Sequence, residues 1–173
     1  MSQQSPGQRI GRVFMVLAWC AALFLATRFF AQWEARQENP NAQLSSQRGE
    51  GFIEVKLVGN HQGHFVASGQ INGQPVEFML DTGATDVSIP AELAEGLKLE
   101  KGFGVTLSTA NGRTEGYRTR IDRLQLGDIV LRDVRALVVP GLDGNQVLLG
   151  MSALNKLEFT QRGGTLLLRQ TTN

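Results

Sequence analysis

Cysteine is nearly absent. Cys20 is the only one in 173 residues, so no intrachain disulfide framework exists and no cysteine zinc cluster can form. Histidine stops at two, His61 and His64; "HQGH" has metal-like spacing, but no third ligand stands near and the loop bears a glycine, so both read as surface residues. No metal and no other cofactor is expected. Charge of one sign is not in excess either: 17 basic and 16 acidic side chains leave a net +1, too little field to draw in a phosphate backbone, and nucleic acid is not an expected partner. The run "RLQLGDIVLRDVRALVV" reads as two strands with solvated charges rather than a basic patch. Ser88, Ser108 and Ser152 lack the context of a nucleophile elbow. No internal repeat is visible.

Glycine, by contrast, is frequent at 20 residues and recurs in turn pairs: Asn72-Gly73, Asn111-Gly112, Gly127-Asp128, Asp143-Gly144 and Gly163-Gly164. Such pairs punctuate hairpins. Between them, from about residue 52 to 169, lie short segments rich in β-branched or large apolar residues: "FIEVKLV", "HFVASGQI", "QPVEFML", "DVSIP", "FGVTLSTA", "YRTRIDRLQLG", "IVLRDVRALVVP", "QVLLG" and "TLLLR". The pattern predicts an almost wholly β domain, with short helices over "PAELAEGL" and "GMSALNKL".

Two segments precede that domain. From 13 to 26, "VFMVLAWCAALFLA" carries no charge, and "TRFFAQW" extends it to Trp33 with Arg28 as its one charge. About 20 residues span a bilayer core, so residues 13–33 suit a single transmembrane anchor with Arg28 reaching to the interface. A cleaved signal peptide is the competing reading, with Arg9 and Arg12 as its positive region, although Phe29, Phe30 and Trp33 crowd the place of a cleavage site. Arg9 and Arg12 favour residues 1–12 as a cytoplasmic tail. The rest then lies on the periplasmic or extracytoplasmic side of an inner membrane. Residues 34–51, "EARQENPNAQLSSQRGEG", hold few large apolar side chains and read as a flexible linker reaching roughly 25 Å. The domain proper is expected over 52–173.

Within it, "FMLDTGATDVSIP" (78–90) drives a carboxylate to the end of a greasy strand. Such a group is costly to bury unless it is hydrogen-bonded or shares a proton. Taken alone, Asp81 could simply cap the turn that Gly83 makes, since Asp-x-Gly is ordinary turn chemistry.

The wider context resembles a family. "LDTGATDVSI" is similar to the active-site turn of the retropepsin-like aspartic proteases, and "VLLGMSALNKL" (147–157) to the apolar residues and glycine that open that family's late helix. Between them "VTLSTANGRTEGYRTR" (105–120) is similar to the flap hairpin, with Asn111-Gly112 at its tip. The resemblance covers roughly 63–170, and the N-terminal anchor with "FTQRGGTLLLRQ" resembles a bacterial, membrane-tethered subset. It implies a single acid-protease barrel lobe that dimerises, with Asp81 catalytic and Thr82, Gly83 and Ala84 in the active-site turn. Leu148, Leu149 and Gly150 would support that turn, and Ala110, Asn111 and Gly112 would belong to the flap over a protein or peptide substrate.

Peptide hydrolysis by aspartates needs two carboxylates sharing a proton. Asp86, Asp122, Asp128, Asp133 and Asp143 are none of them followed by Thr or Ser and then Gly, so a homodimer is expected to supply the second. In the retroviral pattern an acid just after the turn pairs with an arginine after the late glycine. Here Thr85 and Asp86 stand at the first place and Met151 at the second, so another arrangement must hold the helix to the loop. Tyr117, the only tyrosine, falls on the flap's returning strand. Two functions stay open: a membrane-tethered aspartic endopeptidase, and a non-catalytic module of the same fold that binds peptides or a partner protein.

Overall fold

The computed structural model describes residues 6–109, 112–142 and 145–172, without the side chains of 6–10, 108 and 109. Ala110, Asn111, Asp143 and Gly144 therefore lie outside the described residues. The chain divides into two compact units, residues 1–37 and 38–173.

The first unit is helical. Helix α1 runs from Pro6 to Glu38, and from Gly11 onward it is long and apolar enough to cross a membrane, a test that an N-terminal signal sequence also passes. Phe14, Trp19, Phe24 and Phe29 are all exposed on it, so its apolar residues have no protein core of their own.

The second unit is β. A four-stranded antiparallel sheet has the order β1 (Ser46–Gly49), β2 (Phe52–Val58), β11 (Thr165–Thr171), β10 (Glu158–Arg162). The remaining strands are β3 (Val66–Ile71), β4 (Gln74–Leu80), β5 (Val87–Pro90), β6 (Gly104–Thr109), β7 (Gly112–Leu126), β8 (Ile129–Val139) and β9 (Gln146–Leu149). They run β3-β4-β9-β5-β8-β7-β6, and pairing of β3 with β7 closes all but β6 into a barrel. Beyond the barrel, β6 and the first part of β7 project as a hairpin paired from Gly104↔Tyr117 to Thr109↔Gly112. This is the segment read as a flap, and its pairing ends on Thr109 and Gly112.

Alternation explains the core. In β2, Val55 and Leu57 are buried while Lys56 and Val58 are exposed, and in β11 Leu166 and Leu168 are buried, the period-two pattern of a sheet with one wet face. In β8 the alternation changes phase once, at exposed Arg132 and Asp133, where Asp133 has a positive φ: Ile129 and Leu131 are buried before that point and Val134, Ala136 and Val138 after it. Phe78 of β4, fully buried, shares the cluster with Ile71, Ile121, Val147 and Leu168. The charges of the β7–β8 pair are solvated, as expected: Arg120 and Asp133 form an exposed ion pair, and its hydrogen bond holds the Asp133 carboxyl below its ordinary value.

Three features depart from the sequence reading. The segment 34–51 is not a flexible linker: 34–38 continue α1, β1 pairs with β2, and Leu44 packs against the core. What orders it is amide chemistry rather than apolar area. Asn41, 4% exposed, donates through Nδ2 to the Val58 and Val66 carbonyls at 2.8 and 2.6 Å and accepts from the Val58 amide at 2.8 Å. It thereby joins β2 of one sheet to β3 of the other. Asn39 donates to Glu77 Oε1 at 2.6 Å and to Ser68 Oγ at 3.1 Å. The second departure is β10, whose "EFTQR" is exposed throughout and so has no alternation to read. Third, the helices are single turns, α2 (Ala91–Ala94) and α3 (Met151–Leu154).

Candidate active site

Asp81 follows β4 directly and is half-buried, with Thr82 and Gly83 exposed beyond it. Three sets of bonds fix the turn. Its own backbone closes it, the Ala84 amide donating to the Asp81 carbonyl at 3.2 Å. The Asp81 carboxylate takes the Gly83 amide through Oδ1 at 2.8 Å. The neighbouring strand also holds it: β4 and β9 run parallel with Leu80 opposite Leu149, and the Asp81 amide donates to the Leu149 carbonyl at 3.2 Å. The capping reading of Asp81 is thus real as geometry, and it leaves Oδ2 available for chemistry.

Gly83 has no positive φ; what it supplies is space, since a Cβ there would stand 3.1 Å from Asp81 Oδ1. A larger side chain would push on the carboxylate.

Beneath the turn lies α3. Its first two amides, Met151 and Ser152, donate to the Ala84 and Thr85 carbonyls at 2.8 and 3.0 Å. Gly150 makes this approach possible, because a Cβ there would fall 2.4 Å from the Asp86 carbonyl oxygen and 2.7 Å from that of Ala84. Leu149 is buried, whereas Leu148 is only half-buried and lines the cavity above. The three residues read together as a support thus divide: Leu149 and Gly150 underlie the turn, and Leu148 faces the space it opens on.

Where the retroviral pattern has an arginine after the late glycine, this chain uses two residues that the sequence did not single out for the purpose. Arg135, on β8, brings Nε to 3.5 Å from Asp86 Oδ1. That distance suits an ion pair without a closed hydrogen bond, and Oδ1 is buried without a hydrogen-bond partner among the described residues. Ser152 does the bonding. Its hydroxyl accepts from the Val87 amide at 3.0 Å and donates to the Arg135 carbonyl at 2.7 Å, which ties α3, β5 and β8 together just past the turn. It is a brace, not a nucleophile.

Above the turn a cavity of about 700 Å³ has Asp81, Gly83 and Asp86 on its floor. Leu107, Gly112, Arg113 and Thr114 line it from the β6–β7 hairpin, and Leu137, Val139, Pro140, Gly141 and Leu142 from the end of β8 and the loop beyond. The volume is that of a ligand cleft. The hairpin predicted as a flap thus faces the predicted carboxylate across one space, with Ala110 and Asn111 outside the described residues. The β8 contribution was missed. Only the turn pair Pro140-Gly141 hinted at it, and a turn pair carries no chemistry of its own. His61 and His64 lie elsewhere, exposed beyond β2. Tyr117 is on β7 as expected, with the Lys101 ammonium 5.3 Å from its ring centre.

Comparison with known proteins agrees with this geometry. The family model described as gag-polyprotein putative aspartyl protease matches residues 67–156, just over half of the chain and the stretch from β3 to the end of α3. A protein described as "Uncharacterized protein in cobV 5'region", from Sinorhizobium sp, is 35% identical over 115 residues, covering 65% of this chain and 49% of that protein; the chain therefore spans about half the length of the curated relative it matches. Among solved structures, a retropepsin-like aspartic protease from Rickettsia conorii superposes with a TM-score of 0.60 at 26% identity, over 75% of this chain and 97% of that one. The EIAV protease complexed with the inhibitor HBY-793 gives a TM-score of 0.45 at 22% identity, over 56% and 89%. With an Asp-Thr-Gly turn braced from below by a Gly-initiated helix and faced by a hairpin, this chain belongs to the retropepsin-like aspartic proteases.

Proposed function

We propose that the chain is a membrane-anchored aspartic endopeptidase whose catalytic dyad forms when two copies bring their Asp81 turns together. The observation that carries this is the position of Asp81: it stands at the floor of a cleft roofed by a hairpin, on a turn whose next two residues, Thr82 and Gly83, are exposed. An exposed turn is free to meet its copy. Asp86, the other carboxylate on the floor, is turned to Arg135 and is 16% exposed, so it is poorly placed to serve as the second member. In a two-fold pair the two Asp81 carboxylates, about 3 Å apart, share one proton; one takes a proton from the attacking water while the other gives its proton to the carbonyl oxygen of the scissile peptide. Thr82 braces one turn against the other, and the hairpin with Ala110, Asn111 and Gly112 closes over the peptide and excludes water.

Helix α1 is the anchor, with residues 1–12 in the cytoplasm, the catalytic domain outside, and substrates drawn from proteins or peptides near the membrane surface. The decisive experiment compares the full chain with Asp81→Asn in detergent micelles, on a mixed peptide library between about pH 3 and 8. Cleavage should vanish in the variant, be blocked by a statine-type transition-state mimic and survive a metal chelator. Equal cleavage by both proteins would refute the mechanism. Peptide binding by the parent without turnover at any pH would leave only a binding module.

A further inference from the structure

The chain enters the β unit through a clasp. Asn39, directly after the last residue of α1, is 7% exposed; its Nδ2 donates to Glu77 Oε1 at 2.6 Å, and its Oδ1 accepts the Asn41 amide at 3.0 Å. Glu77 passes the contact on, since its Oε2 accepts from Gln146 Nε2 at 2.9 Å and the two residues stand opposite each other in the parallel pair of β4 and β9. Those are the strands whose far ends hold the candidate site: Asp81 follows β4, and its amide bonds to Leu149 of β9. Asn60 Nδ2 adds a bond to the Glu38 carbonyl at 3.3 Å. A chain that leaves a domain through buried side-chain amides bonded on both sides has no slack at its exit.

The lack of slack sets a distance. Four residues of extended chain separate Glu77 from Asp81, about 13 Å at strand rise, and the Asn39 and Glu77 side chains joined end to end add at most about 10 Å. Asp81 therefore stands within about 25 Å of residue 39, whichever way the β unit is turned. Trp33 is the last aromatic residue of α1 and suits the membrane–water interface; the five helical residues beyond it rise by about 8 Å. An anchored chain thus keeps its carboxylate within about 35 Å of the bilayer surface, a height that an extended chain covers in about ten residues.

With α1 read as the anchor and Asp81 as the catalytic group, we infer that residues 39–41 are a fixed mount and that the substrates are membrane-anchored proteins cut in the stretch next to their own anchor. Confinement to one surface raises the effective concentration of such substrates, and the mount limits how far out along a stiff stalk the scissile bond can lie.

The test places the full chain in lipid vesicles with single-span reporters, each carrying on a polyproline spacer the sequence that the chain cleaves best in the peptide library. Spacers of about six and about twenty prolines stand roughly 19 and 62 Å tall. The parent should cut the short reporter at least about tenfold faster than the tall one. An insertion of about twenty Gly-Ser residues between Glu38 and Asn39 leaves the clasp intact and adds roughly 25 Å of reach, and should bring the two rates within about threefold. Equal rates in the parent would overturn the inference. Height is also read without activity: in a chain with Cys20→Ser and Thr82→Cys, a donor dye on the new thiol and acceptor dyes on lipid headgroups should place the turn within about 35 Å of the surface, with transfer weakened by the insertion. A greater height in the parent, or transfer that the insertion leaves unchanged, overturns the mount. The two readings fail separately. Asp81-dependent cleavage of the soluble library peptide, with no dependence on spacer, sinks the mount and keeps the protease; no cleavage of any substrate, beside a turn held within that height, sinks the protease and keeps the mount.

Discussion

Gly150→Ala adds one methyl group at the point where α3 meets the Asp81 turn. The backbone at Gly150 is extended, φ −84° and ψ −176°, a conformation any residue adopts, so the substitution carries no intrinsic torsional penalty. Its cost is contact. The new Cβ would lie 2.4 Å from the Asp86 carbonyl oxygen and 2.7 Å from that of Ala84, and both are backbone atoms that cannot rotate away. Relief requires α3 to withdraw, which stretches the Met151 and Ser152 amide bonds to Ala84 and Thr85, now 2.8 and 3.0 Å. Overpacking of this kind costs about 1–3 kcal/mol, and clash with main chain belongs at the upper end. For a domain of this size 1 kcal/mol corresponds to roughly 3–5 °C in Tm, so a fall of about 10 °C is expected. Near-ultraviolet circular dichroism of the full chain in detergent, read at the tyrosine bands, reports on the β unit, because Tyr117 is the only tyrosine and both tryptophans lie in α1. Cleavage should fall further than stability, since the element that shifts holds the turn on which the carboxylate stands. Gly83→Ala gives the contrast: its Cβ would meet only Asp81 Oδ1, at 3.1 Å, a side-chain atom that can turn aside, so Tm should change by less than the equivalent of about 1 kcal/mol while cleavage drops. A Gly150→Ala protein with parental Tm and parental cleavage would refute the idea that α3 holds the turn.

Other substitutions test neighbouring steps. Ser152→Ala removes the hydroxyl that accepts the Val87 amide and donates to the Arg135 carbonyl, leaving an inner donor unmatched; urea unfolding should show a loss of about 1–3 kcal/mol, and an unchanged midpoint would show that the brace carries no energy. Asn41→Ala orphans the Val58 amide and the Val58 and Val66 carbonyls together, so about 3 kcal/mol should be lost, with amide exchange rising first where β2 meets β3. If that exchange is unaltered, the two sheets are held by something else. Gly112→Val puts a β-branched residue at φ 109°, in open space, which strains the hairpin without touching the core; turnover should fall while Tm changes by less than about 3 °C, and parental turnover would place the substrate away from the hairpin.

Much of the β unit was legible because its strands follow local rules. β2 and β4 occupy the residues marked by their apolar runs, "FIEVKLV" and "QPVEFML", since each is bounded by turn residues and half-buried. The strands that escaped, β1 and β10, are sheet edges; an edge that faces water on both sides imposes no alternation on its side chains, and "SQRG" and "EFTQR" have none. The same physics hid the order in residues 39–45. Burial of Asn39 and Asn41 is stabilised by hydrogen bonds to partners 17 to 38 residues away, and amides destined for such partners look, in sequence, like amides destined for water.

The candidate site divides along a similar line. Asp81, Thr82, Gly83 and Gly150 were readable because the geometry they need is local: a carboxylate at the end of an apolar, half-buried strand, and a helix that meets a turn at hydrogen-bond distance, both call for small residues at fixed offsets. The partners of Asp86 were not. A charge near a turn requires a counter-charge somewhere in space but at no particular place in the chain, and β8 supplies Arg135 from 49 positions away because β5 and β8 run parallel with Val87 opposite Ala136. The pairing of those strands, and not the identity of the residue after Gly150, decides whether an arginine can reach the turn. An arginine missing from its familiar position is therefore weak evidence against the site. The stronger test is whether any strand packed against the turn presents a cation at the right register, and here β8 does.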